Sequence, residues 1–144
     1  MSATATGLRT WATGAYAQDA GVELLIRAFA GRFAQRGCPW VRACQHPGWF
    51  WVDTDAIAEY AGGLSGGERR VLAVVASLIG SDPLDDLGGI LAGVDRRHLH
   101  LILAAMAHAA GSHHHVGPVS GDELRLDPLP ALVSWPAAVA RRAA

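Results

Sequence analysis

Ser65 and Glu68 stand three residues apart immediately ahead of an apolar run, and this pattern constrains the chain's fold more than any other. It is a capping box: the serine oxygen can accept from the Glu68 amide while the Glu68 carboxylate reaches back to the Ser65 amide. The helix it opens carries Val71, Leu72, Val74, Val75, Leu78 and Ile79. These positions spread over an arc wider than a single stripe, so the helix must be buried on more than one side. It is expected at the centre of the core, with other elements packed around it.

The rest of the chain supplies those elements. At 144 residues, 51% hydrophobic and 17% charged, it has material for one core. Residues 1–7 are small and polar, and residues 1–12 are expected to be a flexible arm. Across residues 13–36, Val22, Leu25, Ile26, Phe29 and Phe33 recur at helical spacing and predict one amphipathic helix ending near Gly37. Pro39 stops it. Two short apolar runs, 40–44 and 49–52, flank His46-Pro47-Gly48 and predict a β-hairpin.

Asp53 to Asp55 can cap a short helix that Gly62-Gly63 would end. Asp82-Pro83 places a cap before proline at the first helical position and predicts a helix through Leu84, Leu87 and Leu91. Asp95 can cap a stronger helix closed by Gly111, and residues 123–126 alternate like a strand that could extend the hairpin sheet. The expected fold is α+β: a helix-dominated single globular domain over residues 13–128, a small antiparallel hairpin or sheet, and a proline-punctuated tail over 129–144.

Leu64-Ser65-Gly66-Gly67-Glu68 also resembles, letter for letter, the signature loop of ATP-binding cassette ATPases. In that family the loop starts a helix and its amides and serine meet the γ-phosphate, which implies Ser65, Gly66 and Gly67 as anion contacts. The likeness ends with those five residues. The chain has no GxxxxGK[ST] loop and no lysine, and an expected helix start replaces the apolar strand with paired acids.

All twelve basic residues are arginine and asparagine is absent, the usage expected of a GC-rich bacterial genome. A formal charge of −1 gives no global attraction to nucleic acid or to an anionic membrane. The longest apolar stretch, 99–110, is far short of the roughly 20 residues a membrane span requires, so no membrane partner is expected. No signal peptide is visible, and Cys38 and Cys44 are too few for a disulfide scaffold, so a cytoplasmic location with reduced thiols is expected.

Three groups of residues carry candidate chemistry. Trp40, Trp49 and Trp51 cluster in the hairpin beside Arg42. Alternation puts Trp49 and Trp51 on one face with Phe50 and Val52 on the other, and an open tryptophan and arginine face is suited to a protein partner. Residues 84–110 allow a helix-turn-helix reading in which Arg96, Arg97, His98 and His100 would meet DNA, although Asp82, Asp85 and Asp86 would repel phosphate. His113, His114 and His115 offer metal ligands in a loop, without the spacing of a designed site.

No nucleophile, base and orienting acid can be assembled from sequence, and no cofactor is expected. The leading expectation is a small cytoplasmic interaction or accessory protein without catalysis of its own, contacting an unknown protein partner through the hairpin or the tail. The alternatives are a DNA-binding protein and a metal-dependent enzyme.

Overall fold

Residues near the start of the chain, expected to be a flexible arm, form a helix instead. Ser2 accepts from the Ala5 amide at 3.1 Å and caps α1, Ala3–Ala12, in the computed structural model, which describes residues 2–119 and 122–138. Leu8 and Ala12 on α1 are fully buried, so the globular unit begins well before residue 13. Alanine, threonine and glycine conceal the stripe, because burial here depends on close approach rather than on large side chains. Gly7 illustrates this: a Cβ there would collide with the Gly48 carbonyl and the Phe50 ring.

The predicted helix over 13–36 is broken in two. α2 spans Tyr16–Arg27, and a short 3-10 segment, Ala28–Ala34, follows it. Within that segment Phe29, Ala30 and Gly31 take left-handed backbone conformations, with φ of 49°, 55° and 78°. A left-handed residue other than glycine costs roughly 1–2 kcal/mol, so Phe29 and Ala30 must be held there by their surroundings. His98 supplies the hold, accepting the Phe29 amide at 3.1 Å and stacking on its ring at 4.0 Å.

α2 occupies the position expected of the capped helix. Ala20 to Leu25 are buried without interruption, and α1, α4 and α6 all pack on this helix. The centre of the core is therefore α2, with α4 as one of its neighbours. Gly21 permits the approach, since a Cβ there would meet Leu78 and Ile79 of α4. Leu8, Leu24, Leu25, Leu72, Leu101 and Ile102 fill the interior, each contributing roughly 1.5–3 kcal/mol of apolar burial.

The hairpin forms as its alternation requires. β1, Val41–Ala43, pairs antiparallel with β2, Phe50–Val52, with Arg42 opposite Trp51. Asp53 then caps α3, Thr54–Tyr60, by accepting the Ala56 amide at 3.3 Å. Ser65 caps α4, Gly66–Gly80, by accepting the Glu68 amide at 3.3 Å. Only this half of the capping box is made: the Glu68 carboxylate turns away to Arg32, at 2.7 Å.

Two boundaries differ from expectation. No helix starts at Asp82-Pro83; α5 spans only Leu87–Ala92 and is capped by Asp86, which accepts the Gly89 amide at 2.8 Å. The later start moves Gly88 and Gly89 from a helix interior to its first turn. It also uses the missing Cβ of Gly89, which would otherwise strike the Asp86 carboxylate. After α6, Arg96–Ala109, the segment 123–126 does not extend the hairpin sheet. It lies in β4, Asp122–Pro128, which pairs antiparallel with β3, Val116–Val119, as a separate two-stranded sheet. The architecture is a helix-dominated α+β fold.

The tail follows β4 and folds back across the helices. The Leu129 amide donates to the His115 carbonyl at 2.8 Å, and the Leu132 amide donates to the Ser112 hydroxyl at 3.3 Å. Trp135 then packs against the core, so residues up to 138 cross the ends of α2 and α6.

Candidate functional sites: an open hairpin face and a tail-covered cleft

The hairpin has one buried face and one open face. Phe50 and Val52 are 6% and 3% exposed, whereas Trp49 and Trp51 are 51% and 37% exposed. Arg42 is the cross-strand neighbour of Trp51 and therefore shares its face. Its guanidinium is steadied by Asp53 at 3.3 Å, and the His46 ring packs edge-on to Trp49 with centroids 5.9 Å apart. The result is an aromatic and cationic surface held flat by a backbone ladder.

Trp40 does not belong to this surface. It is buried, its indole N–H donates to the Phe33 carbonyl at 2.8 Å, and its ring lies against Phe33. Strand alternation misplaces it because β1 begins one residue later. A turn in which the Val41 amide donates to the Cys38 carbonyl directs residue 40 inward. Cys38 is likewise occupied by the fold, its thiol donating to the Arg32 carbonyl at 3.4 Å.

Three of the four residues expected to face DNA have separate structural uses. His98 is 8% exposed and lies between Asp95 and Phe29. Because Nε2 accepts the Phe29 amide, Nδ1 carries the proton and donates to Asp95 at 2.9 Å. The His98 backbone amide, aided by the ring N–H, holds the Asp95 carboxyl below its ordinary range. His98 therefore fastens the left-handed turn and cannot reach a base edge. His100 Nε2 donates to the Ser134 carbonyl at 3.1 Å and Arg97 to the Ala137 carbonyl at 3.3 Å, so both hold the tail; Arg96 stays exposed.

The histidine run is not a free loop. Ser112–His114 forms a 3-10 turn, and His115 leads into β3. The His113 ring stacks on His108 at 4.0 Å, and His114 stacks on Tyr16 at 5.5 Å. Stacked imidazoles present faces to each other instead of converging lone pairs. Among the described residues no three His, Cys, Asp or Glu groups are placed to hold a metal ion.

The structure joins those rings to residues the sequence did not single out. His108 Nε2 lies 2.7 Å from the Asp19 carboxylate, and the Trp135 ring is tilted against His108 with centroids 6.0 Å apart. His113 Nδ1 is buried without a hydrogen-bond partner. Burial first, and then the neighbouring His108 and His114, pull its pKa below the ordinary imidazole value. These groups border a cavity of about 400 Å³ between α2, α6 and the tail.

One helical turn along α2, Glu23 is buried and accepts from two arginines: Arg9 of α1, and Arg27 at 2.8 Å. Burial by itself would raise the Glu23 carboxyl, but the two guanidinium hydrogen bonds outweigh it and hold the group below its ordinary range. Arg27 also lies over the Trp135 ring, 4.9 Å from its centroid. The sequence hint was the pairing of Asp19 and Glu23, four apart on α2. Their partners lie on distant segments.

At the start of α4, Ser65 uses its hydroxyl on the Glu68 amide, and the Arg70 guanidinium lies over Gly66. Glu68 already places a carboxylate in that first turn. The Ser65 hydroxyl, one of the three groups implied for an anion contact with Gly66 and Gly67, is therefore engaged within the helix start itself.

No protein-family model, curated protein or solved structure matches the chain. Among the described residues no helix is long and apolar enough to cross a membrane.

Proposed function

We propose that the protein is a small cytoplasmic accessory protein that binds a protein partner through the open hairpin face formed by Trp49, Trp51 and Arg42. One observation carries the reading: Trp51 on β2 and Trp49 just ahead of that strand face solvent, while the alternate residues Phe50 and Val52 are buried. An isolated exposed aromatic is ordinary, but a rigid tryptophan pair with a neighbouring guanidinium has the composition of an interface anchor. The antiparallel ladder and the buried Phe50 and Val52 fix that pair before any partner arrives, which lowers the entropy lost on binding.

Quantitative affinity purification from the source cells tests the reading, comparing the wild-type chain with a Trp49→Ala/Trp51→Ala double variant whose melting temperature is measured alongside. The expected result is one reproducible partner on the wild type, depleted at least tenfold on a variant that remains folded, which corresponds to a loss of about 1.4 kcal/mol. Equal recovery on both chains overturns it.

A further inference from the structure

A second cavity, of about 390 Å³, opens beside the Glu23 cluster where the end of the tail crosses α2 and α6. Arg9, Arg27 and Arg97 reach its wall from three different helices, and Ile26, Ala30 and Pro136 supply apolar wall. Among the described residues no carboxylate lines it. Gathering three guanidiniums around one space is unfavourable unless negative charge offsets them, and Glu23 is the carboxylate that Arg9 and Arg27 share.

The hydrogen-bond inventory points the same way. Arg27 gives only its Nε–H to Glu23, and Arg97 gives one N–H to the Ala137 carbonyl. Among the described residues the two Nη groups of Arg27 and most donors of Arg97 have no protein acceptor. Arg27 is held in place by Glu23 on one side and by Trp135 on the other, so its donors are pre-aimed. All three arginines are partly buried, where a charge-assisted bond is less screened than at the open surface. Ala30, one of the left-handed residues, forms part of the same wall, so backbone strain is concentrated at this cleft.

We infer that this cleft binds the oxyanion of a small molecule, a phosphate or carboxylate group clamped between Arg27 and Arg97 with Arg9 behind them. The planar guanidinium fork matches either anion in a two-bond geometry. The tail forms one wall of the cleft through Pro136 and Ala138, and Arg97 both holds the tail and faces the ligand. The site is independent of the hairpin face, and its ligand adds to the protein-binding reading without requiring it.

Isothermal titration of the full chain with inorganic phosphate and, separately, with succinate at low ionic strength tests the inference. Saturable binding of one of them, weakened at least tenfold in Arg97→Gln and unchanged in Arg69→Gln on the exposed side of α4, is the expected result. Which anion binds identifies the ligand's source as a phosphoester or a carboxylic acid. Arg97→Lys retains a cation but loses the fork, and is expected to fall between wild type and Arg97→Gln. Arg27→Gln loosens Glu23 as well, so its binding is read only beside its melting curve, whereas Arg97 has no ion pair among the described residues. Absence of saturable binding of both anions to a folded wild-type chain overturns the inference, as does equal binding by wild type and Arg97→Gln.

Discussion

The hairpin and the tail both place tryptophan beside an arginine, yet the ring is used in opposite ways. In the hairpin the backbone ladder fixes the strands, so Trp49 and Trp51 are free to face solvent and Arg42 needs only Asp53. The described tail beyond β4 has no ladder. It is fastened by side chains bonded to its backbone, through Ser112, His100 and Arg97, and by Trp135 between Arg27 and His108. Where backbone hydrogen bonds determine position, aromatic surface is left over for a partner. Where they do not, the aromatic ring becomes the fastening.

The comparison breaks most sharply within the hairpin itself. Trp40 has the same side chain as Trp49 but lies in the core, bonded to the Phe33 carbonyl. Trp40→Ala is expected to cost about 3–5 kcal/mol, the range for deleting a buried aromatic. Chemical denaturation measures it. A loss below about 1 kcal/mol would show that the Trp40 pocket collapses without penalty and that burial does not separate the two tryptophans.

Glu23 provides the next largest effect, on the tail side. Removing one member of a buried ion pair costs roughly 3–5 kcal/mol, but Arg9 and Arg27 are about a third exposed and water takes up part of their charge. Glu23→Ala is therefore expected to cost about 2 kcal/mol. The pH dependence has a definite sign. The folded carboxyl is held below its ordinary value near 4.5, so its contribution is complete above that pH and is lost as pH falls through the lower folded value. Glu23→Gln should flatten the acid limb of a melting-temperature profile. An unchanged limb would separate Glu23 from the acid response.

These two sites also show what could be read from the sequence. Ser65, Asp53 and Asp95 were legible as caps because capping is a local bond over three residues, and the hairpin faces were legible because alternation is a period of two. α1 was not legible, since Ala-Thr-Ala-Thr-Gly carries no large apolar stripe and packs by closeness, through Gly7. The left-handed turn at Phe29 and Ala30 has no local signature, because the group that stabilises it, His98, is distant in sequence. The Asp19 and His108 pair has the same origin. A cluster assembled from helices far apart in the chain depends on their packing, and no periodicity encodes it.

Trp135 tests the fastening role directly. A cation over an indole contributes about 0.5–1 kcal/mol when partly exposed, and Trp135→Ala removes that contact together with the packing on His108. The expected stability loss is about 1 kcal/mol. The discriminating readout is hydrogen exchange, which should quicken at the amides of Leu129 and Leu132 while those of β1 and β2 keep their protection. Uniform loss of protection would mean that the tail is an integral part of the cooperative core.

The smallest expected effect on stability carries the most functional weight. Trp49→Ala and Trp51→Ala remove side chains from the face opposite Phe50 and Val52, so the core contacts of the hairpin stay intact. Each is expected to change stability by no more than about 0.5 kcal/mol, as surface substitutions away from special features do. A strand selected only for folding gains nothing from a large exposed indole that a threonine could replace, since the ladder and the buried face already fix its register. Near-neutral stability combined with lost partner recovery would make the pair a surface kept for contact. A loss near that of Trp40→Ala would make Trp49 and Trp51 structural, and the hairpin would then use its aromatics as the tail uses Trp135.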